Sequence, residues 1–189
     1  MPRDFTPYES EYPDLTETVV QISRVSKMTK GGRTFNLTAW VVVGDGQGRV
    51  GIGHGSAKET PEAIEKAKYK AVKAMKPVVL WHGTLPHPVE IKFGATRLIM
   101  KPAAPGTGIK ASQPVRAVLE AAGYKNVLTK VSGGSSVVNV LKATLAGLDS
   151  LRDPVAVAEA RGKSLDSMIR RFSSGRKEET RAPEDNPEA

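Results

Sequence analysis

The chain of 189 residues is long enough to bury a core as one domain or two small ones, and its lack of cysteine excludes disulfides and thiolate metal sites. The formal net charge of +8 hides a sharper contrast, because residues 1–17 and 178–189 each carry −4 and leave +16 on residues 18–177. A body that basic points to a polyanion, nucleic acid before anionic membrane, since no run approaches the ~18 apolar residues of a membrane span and no basic amphipathic helix carries Trp and Phe.

Residues 1–14 are acidic and proline-broken, lack a secretory signal and read as a disordered extension. Residues 15–25 read as a strand, with Val19, Val20, Ile22 and Val25 among polar neighbours. Residues 25–33 read as a flexible basic loop: Lys27, Lys30 and Arg33 can each neutralise a phosphate, and Gly31 and Gly32 let the backbone approach a ligand closely. Residues 34–43 form the next strand, Gly44-Asp45-Gly46-Gln47-Gly48 turns the chain, and residues 49–53 make a third strand of an antiparallel meander. Thr60 as N-cap, Pro61 and Glu62 then start a helix to about Met75, with Ile64, Ala67, Ala71 and Met75 inward and Lys66, Lys68, Lys70 and Lys73 largely outward. This first unit spans residues 15–76; Arg24, Arg49 and Lys58 join Lys27, Lys30, Gly31, Gly32 and Arg33 as its candidate nucleic-acid-binding residues.

A second domain over residues 77–172 follows Pro77. Residues 78–81, 89–93 and 97–101 read as short strands, and Gly106-Thr107-Gly108 leads to a helix over residues 113–122 that Gly123 stops. A strand over residues 127–131 and a helix to about Leu151 complete an α+β layer. Asp153-Pro154 caps a helix to Arg161, Ser164 caps a last turn to Phe172, and residues 173–189 read as a disordered acidic tail.

Gly46-Gln47-Gly48-Arg49-Val50-Gly51 matches the dinucleotide G-x-G-x-x-G letter for letter, but it lies between two strands and does not open a helix, so it predicts no cofactor. Gly162-Lys163-Ser164 resembles the end of a phosphate-binding loop, yet Val157 stands where its first glycine is required. Gly133 and Gly134, with Ser135 before a helix, offer free backbone N–H groups to a phosphate and join the nucleic-acid-binding candidates, alongside the alternative of an ordinary helix-entry turn. His82, His87 and Glu90 are the closest His and acid set, but their proline-rich spacing gives no fixed ligand face and predicts no metal. Nothing in the sequence suggests catalysis, and Trp40 and Trp81 are expected in the core.

Four stretches carry a family resemblance: Ser23-Arg24-Val25-Ser26-Lys27 with Lys30-Gly31-Gly32-Arg33; Val42-Val43-Gly44-Asp45-Gly46 with Gly48-Arg49-Val50-Gly51; Gly106-Thr107-Gly108-Ile109 with Arg116-Ala117-Val118-Leu119-Glu120; and Lys125-Asn126-Val127-Leu128 with Arg161-Gly162-Lys163-Ser164. In these the chain closely resembles the bacterial ribosomal small-subunit protein five family; one departure is Leu37, where the family pattern has an aromatic. The resemblance implies an N-terminal domain like a double-stranded-RNA-binding fold without its first helix, and a two-layer C-terminal α/β domain with a left-handed crossover. It further implies a structural constituent of the cytoplasmic ribosome that binds small-subunit rRNA, contacts proteins four and eight and supports translational accuracy. No membrane and no homo-oligomer are expected. The loop at residues 25–33 resembles the one the family associates with spectinomycin sensitivity, and Gly106, Thr107, Gly108 and Arg116 match its surface toward protein four. A free double-stranded-RNA-binding regulator and an RNA-processing enzyme on a similar fold are the competing readings; the second lacks a carboxylate cluster for Mg²⁺.

Overall fold

Alternation of β-branched with polar or small residues turns the first part of the chain into a four-stranded antiparallel sheet, in a computed structural model that describes residues 15–163. The expected extension over residues 1–14, the last turn from Ser164 to Phe172 and the tail over residues 173–189 lie outside the described residues. Strand β1 (Thr16–Thr29) pairs with β2 (Gly32–Gly44), β2 with β3 (Arg49–Ala57), and β3 with β4 (Lys76–Pro77). Two expectations are corrected here. The nine-residue basic loop is strand on both sides of a two-residue tip, Lys30 and Gly31, because Lys27 and Arg33 occupy exposed ladder positions and only Lys30 sits in the turn. Lys76 and Pro77, expected to close the first unit, are its fourth strand, opposite Val50 and Arg49.

Helix α1 (Thr60–Lys73) covers one face of this sheet. Thr60 is its first residue and not its cap; Glu59 holds the cap position without a side-chain hydrogen bond, and Pro61 occupies the first turn. On α1 itself Ala63, Ala67, Ala71 and Val72 are buried, and Ile64 and the following Met75 are partly so. The strand facing them is β3, whose alternate residues Gly51, Gly53 and Gly55 point at the helix. A Cβ on any of the three would stand 1.9–2.1 Å from the carbonyl oxygen of Ala71, Ala67 or Ala63, so helix and strand meet backbone to backbone with no side-chain layer between them. The glycines that imitate a dinucleotide fingerprint thus divide between a strand-to-strand turn, at Gly46 and Gly48, and this close packing, at Gly51.

The second sheet has the order β5-β6-β8-β7, built from β5 (Val89–Phe93), β6 (Thr96–Pro102), β7 (Ile109–Lys110) and β8 (Val127–Gly133). Residues 78–81, expected as a strand, provide only an isolated bridge from Trp81 to Thr84. Strand β7, within the glycine-rich connection, pairs parallel with β8, and α2 (Gln113–Ala122) is the crossover between them. Gly123 ends α2 in the left-handed conformation at φ 90°, as its position after the apolar stripe predicts. Helix α3 (Val137–Asp149) packs beside α2, and both cover the face of the second sheet that presents Leu98, Met100 and Val127.

Helix α2 also lies against the face of the first sheet opposite α1, where Val42 and Val50 are buried in the same core as Val118, Leu119 and Leu141. The turn after β2 is pinned there: Gly46 N donates to Ala121 O at 2.9 Å and Gly48 N to Ala122 O at 3.1 Å. Tyr124, 3% exposed, donates its hydroxyl to Val79 O at 2.7 Å and fixes the connecting segment. The second compact unit begins at Arg152. Its described part holds α4 (Pro154–Ala160), where Asp153 accepts a hydrogen bond from Val155 N at 2.9 Å, as the Asp-Pro start predicts.

Candidate nucleic-acid interface

Strand β3 pairs with β2 only from Leu37 to Gly44, so residues 25–36 continue past it as a two-stranded arm rooted at Arg24, opposite Leu37. Every residue of the arm is exposed. It carries Arg24, Lys27, Lys30 and Arg33, and residues 18–44 contain no acid at all. Lys27 lies opposite Thr34 and Met28 opposite Arg33, so Lys27 and Arg33 project from opposite faces of the ribbon, and the tip adds Lys30. Thr29 donates its hydroxyl to Gly32 O at 3.0 Å, and Gly32 holds φ 119°, a conformation that closes the tight tip and that other residues rarely adopt. The Arg24 guanidinium lies 3.9 Å from the centre of the Phe35 ring, which stiffens the arm at its base while leaving the charge outward. Cations on both faces of a thin ribbon let it enter a groove and meet phosphates on either side.

The other candidates are not gathered at the tip. Lys58 directly follows β3, whose last residue Ala57 lies opposite Leu37, near the root of the arm. Arg49 starts β3 at the opposite end, beside Pro77, with its backbone N–H held at 2.9 Å by the Asp45 carboxylate. Gly133, Gly134 and Ser135 belong to the second sheet and the entry to α3. There Gly134 N already donates to Ala95 O at 2.8 Å, and a Cβ on Gly133 would stand 2.3 Å from the same oxygen. The pair therefore serves close backbone packing, and the ordinary helix-entry turn is the better account of it.

Thr107 N donates to Ala104 O at 3.2 Å and Gly108 N to the Asn126 side chain at 3.1 Å, which shape the loop that precedes β7. Arg116 and Glu120 are exposed on α2 while Val115, Val118 and Leu119 are buried, as the helical spacing predicts. The Arg116 guanidinium is partly engaged within the chain, donating to Ile109 O at 3.1 Å.

One surface escaped the sequence reading. His54 and Ser56 on β3 join Lys66, Tyr69 and Lys70 on α1 around a shallow cleft of about 300 Å³. Trp40 packs against His54 at 4.7 Å between ring centres, the rings tilted by 41°, and, half-buried, also packs on the core. Burial, and then the Lys70 ammonium, holds the His54 imidazole below its ordinary pKa of 6.5. These residues are separated in sequence by the turn into α1, and only the pairing of strand edge with helix joins them. Among the described residues, no group of three His, Asp or Glu side chains could hold a metal ion.

Two family models match the chain: ribosomal protein S5, N-terminal domain, over residues 15–79, and ribosomal protein S5, C-terminal domain, over residues 91–161. The chain belongs to the ribosomal protein S5 family. The two matches follow the two sheets, the first ending just beyond β4 and the second running from within β5 through β8, α2 and α3 to the end of α4. A member of the S5 family is a structural, non-enzymatic component of the small ribosomal subunit. The basic arm lies within the S5 N-terminal match, and the Arg116 surface lies within the C-terminal one.

Proposed function

We propose that the protein binds small-subunit rRNA through the β1–β2 arm, meets small-subunit proteins four and eight, and thereby supports translational accuracy in the cytoplasmic ribosome. The observation that carries this reading is the arm itself: four cations and no acid on an exposed ribbon whose tip is closed by Gly32. Its mechanism is electrostatic and geometric. Lys27, Lys30 and Arg33 neutralise phosphates and release counterions, and the narrow two-stranded form lets them do so inside a groove. Residues 106–116 form the surface toward protein four, with Gly106, Thr107 and Gly108 shaping the loop and Arg116 providing a cation at its edge.

The experiment is a salt series on rRNA binding by the wild type and by the triple variant Lys27→Ala, Lys30→Ala, Arg33→Ala. Loss of three phosphate contacts lowers the magnitude of the logarithmic salt slope by roughly 2–3, with the melting temperature nearly unchanged because the three side chains are exposed. An unchanged slope overturns the arm as the RNA contact, and a large fall in melting temperature makes it a structural element.

A further inference from the structure

Among the described residues, helices α2 and α3 cover one face of the second sheet, and strand alternation puts a different set of side chains on the other. Leu98 and Met100 face the helices; a Cβ on Gly147 of α3 would stand 2.5 Å from the Met100 methyl. Their neighbours Arg97, Ile99 and Lys101 therefore face outward, and the register arranges the outer face in three rows. Lys92, Arg97 and Ser132 form the first, Glu90, Ile99 and Lys130 the second, and Lys101, Leu128 and Lys110 the third. All are exposed except Ile99, which is half-buried. The face thus carries Lys92, Arg97, Lys101, Lys110 and Lys130 against the single carboxylate of Glu90, and that carboxylate is already paired with Arg97.

We propose that this open face of the second sheet is a second RNA-docking surface, which takes the phosphate backbone of a double-helical RNA segment. Charge complementarity selects the occupant. Four lysines with no acid beside them in these rows are strongly hydrated point charges suited to phosphate, and lysine is a residue that protein interfaces deplete at their centres. The apolar content is confined to Ile99 and Leu128, too little for the desolvated core of a protein interface. No aromatic side chain lies in the three rows, so unstacked bases of a single strand have no platform, whereas a duplex is held through its backbone and shape. The rows span about 10–14 Å in each direction at ordinary strand spacing, a flat patch of a size that several phosphates of one duplex can cover.

The proposal rests on the reading of the protein as an rRNA binder but places a contact outside the arm, so the two fail separately. The test compares Lys101→Gln with Lys110→Gln and Lys130→Gln combined, the triple arm variant, and all six changes together, each binding small-subunit rRNA across a salt series. The sheet variant is expected to reduce the salt slope by roughly 2–3 and to lower affinity in addition to, and independently of, the arm variant. In the wild type, RNA should protect Lys101, Lys110 and Lys130 from an amine-acylating reagent, a readout that does not depend on any variant folding. Full affinity and slope in the sheet variant, with loss in the arm variant, overturn this proposal and leave the arm's role standing. Unchanged rRNA binding with failure to co-sediment with small subunits assigns the face to a protein and overturns it equally. Loss in the sheet variant alone supports the sheet and overturns the arm.

Discussion

Gly44 of β2 and Ala121 of α2 meet so closely that a Cβ built on Gly44 would stand 2.1 Å from the Ala121 carbonyl oxygen. With the hydrogen bonds from Gly46 and Gly48 to the same helical turn, this contact joins the first sheet to the helix that serves the second. The obstacle is backbone, which cannot rotate away as a side chain would.

Gly44→Ala should therefore destabilise the protein by about 3 kcal/mol, through overpacking and disruption of the two neighbouring hydrogen bonds. Gly31→Ala at the arm tip, where nothing lies within 4 Å and φ is not in the left-handed region, should stay within about 0.5 kcal/mol of wild type. Urea denaturation of both variants checks this; equal stability would mean that the end of β2 moves off α2 without cost.

The His54 imidazole, depressed by burial and then by Lys70, should titrate below 6.5 in a proton NMR series. Lys70→Gln should move its midpoint upward, part of the way to 6.5, because the larger cause remains. The unfolded chain takes up this proton near pH 6.5 and the folded chain only at lower pH. The corresponding stability is thus present above pH 6.5 and lost as pH falls through the folded midpoint. His54→Gln should remove that part of the acid sensitivity.

Much of the architecture was legible in advance, and the reasons are local. The helix over residues 113–122 was readable from its apolar stripe and Gly123, and the short helix after Asp153 from its cap and proline. The arm is legible as a basic feature but not as a strand pair, since glycine and lysine weaken the strand signal although Val25, Met28 and Phe35 sustain the ladder. Strand β7, two residues long, has no period to detect. The close approach of Gly51, Gly53 and Gly55 to α1, the cleft at His54 and the cationic rows of the second sheet all depend on which strand lies beside which. That information is tertiary.

For Arg116, the hydrogen bond to Ile109 O adds a local role to its proposed place opposite protein four. Arg116→Glu should lose that bond, costing about 1 kcal/mol, and introduce repulsion toward an acidic partner surface, raising stop-codon readthrough in cells. Thr129→Val removes the adjacent bond from the Thr129 hydroxyl to Lys110 O at a similar cost and should leave readthrough unchanged. Equal readthrough in the two variants would attribute the effect to folding.

Strand β2 runs without interruption from Gly32, beside the arm tip, to Gly44 against α2, about 40 Å at ordinary strand rise. It is anchored at the Gly44 end and exposed at the other. One unbroken backbone thus joins the exposed cationic tip to the last turn of α2, with no loop between them.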